Sequence, residues 1–532
     1  MNSNSGCFSI PEILSLICQQ LRDDELLKSL ASLATTSAAI SATALKVLWE
    51  RQDSLVPLLR TLKGYSFSSQ ALILPASLSR VSWSRMQAYA SKMKTLSISY
   101  NDCGTAHVRI PETTARTILI RSGGGRIIPG LLRFEWEVRT TAHDSGLSSF
   151  IFLFVGPSLD ALRIFVNNTP GDRAVLELLP PMCPDLTVLE LYTDARSPPS
   201  SQDLQDTISR WHSLRMADIP FVNAESLSHL GRLETLRELC LDSSQRVQDS
   251  DSDRPAPNSA AFSHGLQKLT VSACDAQSPP KMLQSFSNTP INVEEVVVSC
   301  TQTSPDVDAR QLIIRAISSA FSKDTLRSIV CRQQHHKPFN WMPIQSWCLL
   351  PYAQCRYLTN VNLECWMDLN DADYTHLAES WPYIENLRVD TFYWRSDEHT
   401  PSATLAALVP FAIQCHNLTN LDILIDANVA PPLSVIPTGQ FSRRRVGMHF
   451  GASPIQSPRH VAAFLSALFP ESGCVSYADM ASGSDTSRKV KTSYAEKWKE
   501  VDEHLALFLV VRAHERERIA SIKTTAVLQK EE

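Results

Sequence analysis

The sequence predicts an α/β chain. A three-helix head is followed by a long, irregular solenoid of strand–helix repeats, and an amphipathic helix closes the end. Three observations predict this. First, one apolar phrase keeps returning: an apolar residue, two variable ones, a second apolar residue, one variable, and a third, as in Leu186-x-x-Leu189-x-Leu191. Close copies centre on Leu239, Leu269, Val296, Ile329, Val361, Leu387 and Leu421, and looser copies on Leu96, Phe134, Leu162 and Leu214. The gaps run from 25 residues (Leu189 to Leu214) to 38 (Leu96 to Phe134), and recurrence of this kind marks a stacked repeat. Second, apolar residues stand at helical spacing ahead of the array. Third, a strong amphipathic pattern follows it.

Composition fits such a scaffold. A chain of 532 residues exceeds one ordinary core, whereas a solenoid grows by stacking. Hydrophobic residues make up 43%, mean hydropathy is -0.11, and no apolar run approaches the ~18 residues of a membrane span. The N-terminus lacks the basic start and apolar core of a signal peptide. A net charge of -5 and a pI near 6.3 give no global attraction to nucleic acid or to acidic lipid, so neither is an expected partner. The 13 cysteines are odd in number and scattered, with no CxxC pair. Several, such as Cys183, Cys240, Cys274, Cys331 and Cys415, fall beside or inside the phrases, where small buried apolar residues belong. Reduced core thiols in an intracellular protein, cytoplasmic or nuclear, are expected. The sequons at Asn167 and Asn417 carry no weight without a secretory signal.

Residues 8–63 read as the helical head. Pro11 suits a helix first turn, and Ile13, Leu14, Ile17 and Leu21 share one face. Asp24 is the expected N-cap of a second helix carrying Leu26, Leu27, Leu30 and Leu33. A third helix carries Ile40, Ala44, Leu45, Leu48 and Trp49 ahead of Pro57. Taken as residues alone, this is an N-terminal cap on the solenoid.

The stretch "IPEILSLICQQLRDDELLKSLASLATTSAAISATALKVLWE" resembles an F-box. The matching residues are Ile10, Pro11, Glu12 and Ile13 at the start, Leu21 ending the first helix, Leu26 and Leu27 opening the second, and Leu48-Trp49 closing the third. It departs from many F-boxes between the second and third helices, where "TTSAAIS" (Thr35 to Ser41) replaces a Cys-Arg-Trp-like stretch. "SLVPLLRTL", "SWSRMQAYASKMKTLSIS", "WPYIENLRV" and "TLAALVPFAIQCHNLTNLDI" extend the resemblance to basidiomycete-type fungal F-box proteins with degenerate leucine-rich repeats. The resemblance implies docking on the Skp-type adaptor of a cullin–RING (SCF) ubiquitin ligase. The implied adaptor contacts are Ile10, Pro11, Ile13, Leu14, Leu21, Leu26, Leu27 and Trp49. The repeats would then hold a protein substrate.

Residues 64–92 bridge into the array: Trp83, Met86, Tyr89, Ala90 and Met93 keep helical spacing before the strand alternation Leu96-Ile98. Gly123 to Gly125 lack the Gly-Lys-Ser/Thr of a phosphate loop and read as a turn. From 93 to 443 each phrase is a short strand with its apolar residues facing inward, and helical patterns such as "ARQLIIRAISSAFSK" lie between. One strand and one helix per unit give an α/β arc, as in leucine-rich repeats. The period is longer and less even than in regular examples, and the usual Asn or Cys after the phrase is matched only by Cys274. The polar, Pro/Ser/Asp-rich stretch 242–260 reads as a disordered loop. In 444–532 one more strand and an apolar helix precede an amphipathic helix with Trp498, Val501, Leu505, Phe508 and Arg512 on one face, which seals the last repeat.

No catalytic, cofactor-binding or metal motif stands in the sequence: GxSxG, HExxH, GxxxxGK[ST] and zinc-type Cys spacing are all missing. His335-His336 and the cluster Trp394, Arg395 and Asp397 read as loops. An enzyme is therefore not expected, nor a cofactor. Binding is. In each strand the residues flanking the apolar pair face outward. They are Glu190, Tyr192, Glu238, Asp242, Lys268, Glu295, Arg332, Glu364, Arg388, Asp390 and Asp422. Acidic residues predominate, which suits a partner with a basic segment. The other reading left open is a protein-binding scaffold outside ubiquitin transfer.

Overall fold

The computed structural model describes residues 10–68, 71–75, 77–99, 110–137, 148–194, 198–220, 224–243, 262, 265–274, 277–286, 290–300, 307–333, 344, 346–364, 367–389, 400–436, 444–451, 453–476 and 485–531. Two compact units divide them: the first runs to Arg237 and the second begins at Glu238. The sequence carries no signal of this division. Each unit is an α/β repeat built on parallel strands.

The first unit opens with α1 (Pro11–Asp23), α2 (Leu27–Leu33) and α3 (Ala38–Glu50). Pro11 occupies the first helical turn, where its missing N–H is no loss. The three helices close on Leu14, Cys18, Leu30, Ala34, Ala44 and Val47, with Leu21, Leu33, Ile40, Leu45 and Leu48 packed around them. Ser37 caps α3 by accepting from the Ile40 N–H. Asp24 does not cap the second helix. It ends the first, its N–H bonding back to the Gln20 carbonyl at 2.9 Å. The chain then turns through Glu25 at φ 59, and α2 starts only at Leu27. A left-handed residue is what reverses the chain here, and it leaves Asp24 inside the last turn of α1.

The third helix is shorter than expected. It ends at Glu50 and leads directly into β1 (Arg51–Gln52). The repeat array thus begins within residues 8–63 rather than at 93. After α4 (Val56–Leu59), the hairpin of β2 (Ser66–Ser68) and β3 (Ala71–Ile73), and α5 (Arg80–Ala90) comes β4 (Thr95–Ser99), which pairs parallel with β1. The alternation then continues through α6 (Glu112–Ser122), β5 (Arg133–Glu137), a 3-10 segment at Ser148–Leu153, β6 (Ala161–Val166), α7 (Pro170–Met182), β7 (Val188–Thr193), α8 (Ser201–Ile208), β8 (Met216–Pro220) and α9 (Ala224–Arg232). Gly123 closes α6 in the left-handed conformation, so the glycine run is a helix stop.

Strands β4 to β8 pair in sequence order, all parallel, each return made by a helical or irregular crossover. Leu96, Phe134, Leu162 and Leu189 share one level of the ladder, as the repeated phrase requires. The next copy corrects the expected register. Leu189 is paired with Ala217, not with Leu214. The phrase in β8 is therefore Leu214-x-x-Ala217-x-Ile219, and Leu214 takes its first position. All three are buried. Alanine leaves no clear periodic signal in the sequence, so the inward place of Ala217 is set by the ladder.

The second unit contains β9 (Glu238–Ser243), β10 (Lys268–Ala273), α10 (Ser278–Phe286), β11 (Glu295–Cys300), α11 (Val307–Ala320), β12 (Ser328–Gln333), a 3-10 segment at Ser346–Gln354, β13 (Asn360–Leu363), α12 (Asp371–Ser380), β14 (Asn386–Val389), α13 (Leu408–Gln414) and β15 (Asn420–Asp422). It ends with β16 (Gly447–His449), α14 (Pro458–Leu468), β17 (Val475–Ser476) and α15 (Asp485–Glu531). Leu239, Leu269, Val296, Ile329, Val361, Leu387 and Leu421 stand at one level, and Met448 and Val475 extend it. The array thus runs two strands past Leu421 where one was expected. The predicted loop at 242–260 begins inside β9, and its remainder from 244 lies outside the described residues, as do His335-His336, Asp390 and the Trp394 cluster.

The same core device recurs. Trp211, Trp381 and Trp498 are fully buried. Each indole N–H donates at 2.9 Å to a distant backbone carbonyl, those of Cys183, Tyr352 and Ser453. A buried indole needs such a partner. The described cysteines are mostly buried, although Cys240 and Cys274 are only half so and Cys474 is exposed. Burial pushes the Cys183 and Cys415 thiols up to about 12, and that of Cys355 to about 11, so they behave as apolar side chains. Among the described residues no helix is long and apolar enough to cross a membrane.

Candidate binding surfaces

On the head, α1 and the start of α2 leave large apolar side chains uncovered. Ile10, Ile13, Leu26 and Leu27 are exposed, Pro11 beside them is also exposed, and Leu16 is the most exposed, at 64%. Leu16 was missed from sequence, since it lies off the apolar face that Leu14 and Leu21 define. Three of the implied adaptor contacts sit differently. Leu14 is 2% exposed and belongs to the head core, and Leu21 packs against that core. The F-box resemblance implied both as contacts, but their place on the apolar face of α1 turns them toward α2 and α3. Trp49 is half-buried and stacks on Tyr89 of α5, with ring centroids 4.7 Å apart and planes 23° apart. Thr35 and Thr36 of the departing stretch bond their hydroxyls to the Ser32 and Leu33 carbonyls, finishing α2.

Arg22 joins this head to the array. Its guanidinium donates to the carbonyls of Val47 and Leu48 at the end of α3 and of Arg51 in β1. The last carbonyls of a helix lack internal partners, and a cation there is favourable. Burial pulls the Arg22 guanidinium down from its ordinary value, and neighbouring Arg51 adds to that.

On β6, β7 and β10 apolar residues point inward and the alternate residues outward, as expected, whereas in β11 and β12 the residues at the alternate register, Val297 and Val330, are buried as well. In the first unit the outward residues converge on Tyr192. Arg163 of β6 donates through Nε to Glu190 of β7 at 2.6 Å and lies 3.5 Å from Glu137 of β5. The Tyr192 hydroxyl stands 3.1 Å from a carboxylate oxygen of Glu190 and 3.1 Å from one of Asp218 on β8. It has one proton to donate, so it serves one carboxylate at a time. The Arg163 guanidinium also lies 5.7 Å from the centre of the Tyr192 ring. Burial, then the charges of Asp218 and Glu190, push the Tyr192 phenol far above its ordinary value. Burial pulls Arg163 down, but its hydrogen bond to Glu190 and the surrounding negative charge outweigh that and raise it. The result is a half-buried, acid-rich patch with one cation at its centre. Glu190 and Tyr192 were legible in the repeat register. Arg163 was available in the copy centred on Leu162, and Asp218 was hidden by the misplaced register of β8.

Ion pairs also cross adjacent strands in the second unit. Lys268 and Glu295 lie 3.2 Å apart, and Arg388 and Asp422 3.6 Å apart. Asp422 also stands level with His449 of β16. Burial raises the Asp422 carboxyl, with His449 and Arg388 pulling the other way. Burial lowers the His449 imidazole, opposed by Asp422 and reinforced by Arg388. A second row is amide-rich. Asn420 donates to the Asn386 side-chain carbonyl at 2.6 Å, and Asn360 donates to the Ser328 hydroxyl at 2.8 Å. The remaining expected face residues, Glu238, Asp242, Arg332 and Glu364, are at least partly exposed but spread along the strands. His449 was beyond the expected end of the array.

The described surfaces thus present apolar side chains on the head and paired charges on the strand faces. No known family profile matches the chain, and no curated protein matches it. Among solved structures, it is similar to a chain in the crystal structure of the Rad7 and Elc1 complex in yeast. The identity is 16%, the TM-score is 0.30, and the match covers 74% of this chain and 92% of that one. A likeness this slight does not bear on function.

Proposed function

We propose that this chain is the substrate-recognition subunit of an SCF-type ubiquitin ligase, docking on a Skp-type adaptor through the head and holding a protein substrate on its strand faces. The chain itself performs no chemistry in this reading and is not an enzyme. The observation that carries it is the set of exposed apolar side chains, Ile10, Ile13, Leu16, Leu26 and Leu27, on a head whose sequence resembles an F-box. Large apolar groups left in water along α1 and at the start of α2 are what a helical partner covers. Leu14 and Leu21 shape that head from inside, and Trp49 fixes its end against Tyr89.

The test is capture of a purified Skp-type adaptor by the full chain. Leu16→Asp and Leu26→Asp, both on exposed positions, are expected to abolish capture while circular dichroism stays unchanged. Retained capture by both variants rejects the assignment. A second reading has its own observation: Arg22 and the continuity of α3 with β1 tie the head to the array, as an N-terminal cap would be tied. In that case the chain is a protein-binding scaffold outside ubiquitin transfer. Stable chain with no adaptor capture by the wild type favours it.

A further inference from the structure

Helix α15 buries one face and exposes another. Trp498, Val501 and Leu505 are buried against the end of the array, while Leu507, Val510 and Val511 are exposed on the far side. The side away from the array carries a seam of alternating four- and three-residue steps, Glu500, His504, Leu507, Val511, His514 and Arg518, all exposed except the half-buried His504. That is the spacing at which one helix meets another along its length.

The seam has an internal symmetry. Reversed about Leu509, Glu500 falls on Arg518, His504 on His514, and Leu507 on Val511. We propose that the occupant of this face is a second copy of the same chain, its α15 lying antiparallel to the first across a two-fold axis. A two-fold interface is self-complementary, and each residue then meets its counterpart from the other copy. Acid meets base at both ends, and branched apolar side chains meet at the centre. A parallel arrangement, or an unrelated helix, gains nothing from this palindrome.

The pairing is weak by construction. From Glu500 to Arg518 the seam is roughly 27 Å long at 1.5 Å per residue, a small interface. Arg518 must leave its contact with Glu515, 2.9 Å away, but that pair is exposed and holds little free energy. Glu503 and Glu517 meet at the solvated margin and oppose the association. A concentration-dependent dimer results. It would double the number of heads and strand faces per assembly, which raises avidity for any partner with two sites. The inference rests on α15 alone and is independent of the proposed ligase role.

The experiment is sedimentation velocity on the full-length chain, from micromolar to several hundred micromolar. The wild type is expected to show a reversible monomer–dimer equilibrium, and Leu507→Glu with Val511→Glu to remain monomeric. Glu500→Arg alone and Arg518→Glu alone are each expected to weaken the dimer about tenfold, and the two together to restore it. Recovery in the double charge swap separates the antiparallel pair from general stickiness. A wild type that stays monomeric assigns the face to something other than a second copy and overturns the proposal. So does association that survives Leu507→Glu with Val511→Glu, or a double swap that fails to recover.

Discussion

The Asp502 side chain accepts a hydrogen bond from the Val475 backbone N–H at 2.8 Å. Val475 opens β17, the last strand of the parallel ladder, whose outer edge has no further strand to pair with among the described residues. An open edge of this kind invites pairing with other chains. Helix α15 closes it with a side-chain acceptor and buries Trp498 beside it, stacked on Phe450 at 4.6 Å between ring centroids.

Trp498→Ala is therefore expected to lower the stability of the second unit by about 3–5 kcal/mol, the range for removing a buried aromatic. The cost combines lost packing with a Ser453 carbonyl left without its indole donor. Denaturant unfolding measures it. A loss below about 1 kcal/mol would mean that α15 does not seal the array.

Within the head, Leu14→Ala is expected to cost about 2–5 kcal/mol, because the leucine fills the core that α1, α2 and α3 share. Leu16→Ala, two positions away but exposed, is expected to change stability by under about 0.5 kcal/mol. Thermal unfolding of both variants checks the contrast. Equal effects would contradict the placement of the two side chains.

The turn between α1 and α2 stores strain at Glu25, whose φ of 59 a side chain disfavours by roughly 1–2 kcal/mol. Glu25→Gly removes that penalty but loosens the unfolded chain, so a net gain of up to about 1 kcal/mol is expected. A lower melting temperature in the variant would show that Glu25 is not held in a left-handed conformation.

On the first strand face, Arg163 and Glu190 should be coupled. A double-mutant cycle with Arg163→Met and Glu190→Gln is expected to return an interaction of about 0.5–1 kcal/mol, the scale for partly exposed pairs. It should shrink in high salt. A coupling indistinguishable from zero at low salt would remove Arg163 as the centre of the patch.

His449 supplies a pH dependence with a definite sign. Burial lowers its folded value below the ordinary 6.5. Such a group contributes stability that is present above the unfolded value and lost as pH falls through the folded one. The second unit is thus expected to weaken on acidification below about pH 6.5, and His449→Gln to flatten that part of the profile. The raised Asp422 carboxyl acts in the opposite sense, adding stability that is lost as pH rises through its folded value. Comparing the two profiles of denaturation midpoint against pH isolates the histidine. Identical slopes would contradict the burial of His449.

Much of this was written in the chain. The phrase around Leu189 and its counterparts announces short parallel strands, because apolar residues one position apart must share a sheet face. Pro11, the apolar spacing of α1, and the face of α15 through Trp498 are local signals of the same kind. The exposed candidates Ile10, Ile13, Leu26 and Leu27 came from a sequence resemblance, and their side chains do lie in solvent.

What tertiary structure decided is whatever depends on a partner far away in sequence. Leu14 became core and Leu16 surface through the placement of α2 and α3, not through composition. Ala217 took the inward position in β8 because ladder pairing with Leu189 fixes register, and a small residue fills the space there. Arg163, Glu190, Tyr192 and Asp218 form one patch only because three strands whose paired residues are 27 (Leu162 to Leu189) and 28 (Leu189 to Ala217) apart in sequence lie about 4.8 Å apart in the sheet. The repeated apolar phrase was enough to specify a stack with an inside and an outside. Which outward side chains meet was settled by pairing between repeats, since a local pattern holds no information about the neighbour a strand will have.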